Sequence, residues 1–139
     1  MDRRIVLTSV AAAALLVFAH PVLAETASYK AALDGKSETP PNDSKGKGMA
    51  DIKYDSATKT LSWVVSYNGL SADAVAAHFH GPADAGQKAD PVVDITKNIN
   101  NGSATITDDQ AKQLADGKWY LNIHTEKFPD GEIRGQVMK

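Results

Sequence analysis

Three of the four histidines in this chain fall where they could share one ion. His78 and His80 alternate with Val75, Ala77 and Phe79 in Val75-Ala76-Ala77-His78-Phe79-His80. In a strand, successive side chains point to opposite faces. Val75, Ala77 and Phe79 then form an apolar face, and both imidazoles project from the other, with Cα atoms roughly 6.5–7 Å apart. Trp119-Tyr120-Leu121-Asn122-Ile123-His124 repeats the pattern, with Trp119, Leu121 and Ile123 inward and Tyr120, Asn122 and His124 on the opposite face. If the two strands are neighbours, the three rings converge. Three imidazole nitrogens suit copper or zinc, with one position left over for water or substrate. A shared ion at about 2.0–2.1 Å per nitrogen would hold those nitrogens within roughly 4 Å of one another. The plainer reading is three solvated polar side chains, with His124 donating to a nearby carbonyl.

Arg134 alternates with Ile133 and Val137 near the C-terminus, so Glu132, Arg134 and Gln136 are expected to face outward. Arg134 could bind an anion bidentately. The reading preferred here is an ion pair within the fold, to Glu132 or Glu38. No G-x-S-x-G elbow, H-E-x-x-H helix or phosphate-cradling glycine loop occurs. Nor is any carboxylate marked as half of an acid–base pair, so an enzyme is the less favoured class.

Strands must position these groups, and most of the chain alternates with period 2. Strands are expected at 29–33, 49–54, 61–67, 75–80, 92–95, 103–107, 118–125 and 132–138. Leu61, Trp63, Val65 and Tyr67 make the clearest apolar face. Trp63, Val65, Phe79, Trp119, Leu121, Ile123, Ile133 and Val137 are the expected core. One short helix is expected over 108–115, because Thr107 and Gln110 have capping-box spacing. Short strands with turn signals every 8–12 or so residues point to an all-β antiparallel Greek-key sandwich.

Residues 1–24 read as a signal peptide. Arg3 and Arg4 precede an apolar run from Ile5 to Ala19, Pro21 breaks it, and Val22-Leu23-Ala24 suits cleavage. The run is shorter than the roughly 20 residues a membrane span needs. The expected product is an exported domain over 25–139, periplasmic or secreted, with no stable membrane anchor. The whole chain has 139 residues, no Cys and a formal charge of −2. Nucleic acid is therefore an unlikely partner, since phosphate binding needs clustered Lys and Arg. The absence of Cys rules out disulfides and thiolate metal sites.

The motifs together resemble the chordin-domain (CHRD) family over about 29–137. They occur in family order: Leu33-Asp34-Gly35 with Glu38-Thr39-Pro40-Pro41; Gly69-Leu70 before Ala76-Ala77-His78-Phe79-His80-Gly81; Leu114 through Thr125; and Phe128 through Gln136. The resemblance implies an immunoglobulin-like or superoxide-dismutase-like sandwich in a single exported domain. Chordin antagonises bone morphogenetic proteins and carries Cys-rich modules that this chain lacks, so growth-factor binding is not carried over. Copper-zinc superoxide dismutase also uses an H-x-H strand pair for copper, but its fuller histidine set and its disulfide are missing here. The expected function is a non-enzymatic binding module for an unidentified protein or small ligand. The alternative is a copper- or zinc-binding exported protein using His78, His80 and His124.

Overall fold

The computed structural model describes residues 23–139. Residues 1–22 of the expected leader lie outside the described residues. Eight strands and one helix follow in order: β1 (Thr26–Asp34), β2 (Lys47–Asp55), β3 (Thr60–Asn68), β4 (Ala74–His80), β5 (Pro91–Asp94), β6 (Asn101–Thr105), α1 (Asp108–Ala115), β7 (Tyr120–Thr125) and β8 (Ile133–Gln136). The helix begins where its cap predicts. Thr107 Oγ1 accepts from the Gln110 N–H at 3.2 Å, and Gln110 Oε1 accepts from the Thr107 N–H at 2.9 Å. These bonds satisfy two donors that a helix start and its cap otherwise leave open.

All the strands join one antiparallel sheet in the order β5-β4-β7-β8-β1-β2-β3-β6. Long hairpin registers fix its middle, where β1 pairs with β2 from Thr26↔Asp55 to Asp34↔Lys47. Asp55 starts the β2–β3 turn: its Oδ1 accepts from the Ala57 and Thr58 N–H groups at 2.8 and 3.2 Å, and Lys59 then takes a left-handed φ of 54°. This is the local side-chain-to-backbone bonding that makes Asp a turn residue.

The sheet curls nearly into a barrel. Trp63 of β3 meets Phe79 of β4 edge-on at 5.8 Å, although these strands stand near opposite ends of the sheet. The segment between β5 and β6 laces the two ends together. The Ile95 N–H donates to Ala77 O at 3.0 Å, the Val65 N–H to Asn100 O at 2.8 Å, and Trp63 Nε1–H to Asn98 O at 2.9 Å. All eight residues named as core are buried, in a single cluster that includes Leu114 of α1. Thus the all-β antiparallel expectation and the single helix hold. A division into two Greek-key sheets does not follow from the hydrogen-bonded ladder, which is continuous.

Two expectations about faces need correction. Val75 is exposed rather than inward, because the register between β4 and β7 shifts between Ala74 and Ala76. Glu132 and Arg134 are buried rather than outward, at 0% and 2% exposure. Loops fold over the outer face of β4, β7 and β8, so facing away from the apolar core there does not mean facing water. The cover has its own polar knot at Glu132. Its carboxylate accepts from Ser44 Oγ (2.6 Å), Thr125 Oγ1 (2.6 Å), Ser71 Oγ (2.8 Å) and the Ser71 N–H (2.7 Å). Burial pushes the Glu132 carboxyl up, but these bonds outweigh it and hold the group below the usual carboxylate range.

Candidate metal centre

β4 and β7 are neighbours, with Ala76 opposite His124 and His78 opposite Asn122. That register carries the three imidazoles onto one face. One nitrogen from each of His78, His80 and His124 lies within 4.8 Å of the others. His78 Nδ1 and His124 Nε2 are 3.2 Å apart. This pair meets the 4 Å expectation, and the other separations in the group are within 4.8 Å.

The outer nitrogens of two rings are tied down. His80 Nδ1 lies 2.9 Å from Ala89 O, and His124 Nδ1 lies 2.8 Å from Pro129 O. A carbonyl oxygen only accepts, so each Nδ1 carries the hydrogen and each neutral ring turns a bare Nε2 toward the cluster. Metal-bound histidines are characteristically oriented in this way, with the second ring nitrogen donating to a carbonyl or carboxylate. The third ring, His78, has its Nε2 3.9 Å from an Asp94 carboxylate oxygen.

Burial favours the neutral forms of His78 and His80. Burial is the largest influence on His78, and the neighbouring His124 lowers it further against the opposing Asp94 charge. Burial also lowers His80, against the raising effect of its bonds to Ala89 and Asn122. Neutral imidazole is the form that binds a metal. His80 is packed as well as buried, stacked on the Tyr120 ring at 4.7 Å and 4°. Arg134 lies across Tyr120, with its Cζ 3.5 Å from the ring centroid.

Arg134 is anchored by Thr39 Oγ1 (3.3 Å) and Gln87 O (2.7 Å). Among the described residues no salt bridge joins it to Glu38 or Glu132, in place of the ion pair expected from the sequence. One hydroxyl and one backbone carbonyl supply its partners, and Tyr120 supplies a cation–π contact.

One residue at the site was not singled out for a role by the sequence, and Glu38, read there only as an ion-pair partner of Arg134, has other surroundings. Asn122, between His80 and His124, places Oδ1 3.0 Å from the Nε2 of each. The only signal for it was its shared strand face with His124. Glu38 borders a cavity of about 170 Å³ beside the histidines, with Asn122 and Arg134 also in its wall. Its Oε1 is buried without a hydrogen-bond partner. Burial raises the Glu38 carboxyl to about 7, against the lowering influence of the Arg134 charge, the Thr39 N–H and Asn122.

The folded-state value lies above the ordinary 4.5, so folding favours the protonated acid. Stability should be greatest below about pH 4.5 on this account, decline as pH rises toward 7, and level off above it. Urea unfolding of the metal-free protein at about pH 5 and pH 8 checks this. Glu38→Gln should flatten the dependence, and parallel pH profiles for the two proteins would contradict it.

Gly131 shapes the cover above Glu38. Its φ is +124°, and a Cβ there would collide with Glu38 Oε1 and Asn122 Nδ2. Glycine is the residue that tolerates both demands.

Comparison with known proteins gives one match: the family model described as the CHRD domain covers residues 29–137. No curated protein and no solved structure matches the chain.

Proposed function

This chain belongs to the CHRD-domain family, and from that footing we propose that it is an exported, non-enzymatic binding protein whose ligand is one copper or zinc ion held by His78, His80 and His124. The observation that carries the reading is the convergence of three imidazoles from adjacent strands, with His80 and His124 fixed through Nδ1 by Ala89 and Pro129. Solvated surface histidines need neither the convergence nor the fixed tautomers. Export is supported by the leader-like residues 1–24 and by the extracellular character of the family. No helix among the described residues is long and apolar enough to cross a membrane.

Calorimetric titration of the metal-stripped protein with zinc(II) and copper(II) tests the proposal. One ion should bind per chain, copper(II) more tightly than zinc(II), as expected for a nitrogen-rich site. Affinity should weaken as pH falls below about 6.5, the ordinary imidazole value, because burial holds His78 and His80 below it and protons compete for them only there. Stoichiometry near zero at neutral pH, or affinity indifferent to protonation in that range, would remove the metal reading.

A further inference from the structure

Asn122 sits where a fourth ligand would. Its Oδ1 is 3.0 Å from His80 Nε2 and 3.0 Å from His124 Nε2, while His124 Nε2 is 3.2 Å from His78 Nδ1. Ligands at about 2.0–2.1 Å around a tetrahedral ion are separated by about 3.3–3.4 Å. Three edges of the tetrahedron are therefore close to size already.

The hydrogen-bonding inventory explains why these contacts call for a cation. His80 and His124 commit their Nδ1 hydrogens to Ala89 O and Pro129 O. Their bare Nε2 lone pairs both face Asn122 Oδ1, which is itself an acceptor. A proton on His78 Nδ1 can serve His124 Nε2, but it leaves His80 Nε2 facing Asn122 Oδ1 with no hydrogen between them. Asn122 is only 3% exposed, so water has little access to relieve the conflict. The amide nitrogen lies on the other side: Asn122 Nδ2 and Glu38 Oε1 both border the space above Gly131. With Oδ1 turned toward the two rings, a cation between it and the bare Nε2 atoms would satisfy all three acceptors at once.

We infer that Asn122 Oδ1 is the fourth ligand and that it closes the centre to exogenous ligands. The inference rests on the metal reading above. The sequence left a fourth position for water or substrate; here a protein oxygen takes it. A centre closed with three nitrogens and one oxygen holds its ion as structural zinc sites do, with no vacant position for substrate.

Cobalt(II) substituted for zinc provides the test, because its visible spectrum reports coordination number and ligand exchange. Sodium azide added to the cobalt(II)-loaded wild type should leave the spectrum unchanged. Asn122→Ala should lose at least about tenfold in zinc affinity and acquire an azide-dependent spectral change. Asn122→Asp keeps an oxygen donor and should remain insensitive to azide. If Asn122→Ala does not fold, the wild type and Asn122→Asp still decide the matter. A wild-type spectrum that responds to azide overturns the closed site while leaving the three-histidine reading intact. Unchanged zinc affinity and azide silence in Asn122→Ala overturn it equally. Failure of the wild type to bind zinc(II), copper(II) or cobalt(II) overturns the inference and the metal reading together.

Discussion

Trp119→Ala is expected to destabilise the domain by about 3–5 kcal/mol, the range for deleting a large aromatic from a packed core. Trp119 is fully buried immediately before β7, its ring centroid 6.0 Å from that of Phe79, and its Nε1–H donates to Gln113 Oε1 of α1 at 3.2 Å. It therefore ties the helix to the sheet at the strand that also carries Asn122 and His124. A domain of ordinary stability has about 5–15 kcal/mol in total. The variant should thus lose much of its reserve, seen as a large drop in the urea midpoint with little change in slope. A loss below about 1 kcal/mol would mean the cavity refills easily, against the close packing described.

His80→Ala is expected to weaken zinc and copper binding at least about a hundredfold. Outer-shell partners alone are worth about ten- to a hundredfold, and His80 is assigned to the ion directly. Of the three rings it is the most constrained, at 8% exposure, stacked on Tyr120 and held at Nδ1 by Ala89. Little reorganisation is needed for it to bind, so little of its contribution should be recovered by other groups. Competition titration against a chelator of known affinity gives the number. Affinity within threefold of the wild type would exclude His80 from the coordination shell. An Arg134 variant discriminates further. Arg134 lies across Tyr120, which stacks on His80, so its loss should weaken binding modestly by loosening His80.

The strands and the inward residues were legible because alternation is a local property. Trp63, Phe79 and Trp119 announce a buried face whatever the strand order. The convergence of His78 and His80 with His124 was legible only on condition that β4 and β7 pair, and pairing between distant segments is set by the whole fold. The outer face was misjudged for a different reason. Glu132 and Arg134 alternate correctly with Ile133, yet both are buried, because loops carrying Thr39, Ser44, Ser71 and Gln87 close over them. Alternation separates core from not-core and says nothing about what covers the second face. The same blindness hid Asn122, whose role depends on the ring tautomers that Ala89 and Pro129 impose from two such loops. The lacing of the sheet ends by the β5–β6 segment was also invisible, since each of its contacts uses at least one backbone group, which carries no residue-type signal.

X-ray absorption spectroscopy of the zinc-loaded wild type examines the ion's own surroundings and so tests the metal centre most directly. Four nitrogen or oxygen neighbours are expected at about 2.0–2.1 Å, with the multiple-scattering signature of three imidazoles. One imidazole or none, with the remaining ligands carboxylate or water, would place the ion elsewhere and contradict the assignment of His78, His80 and His124.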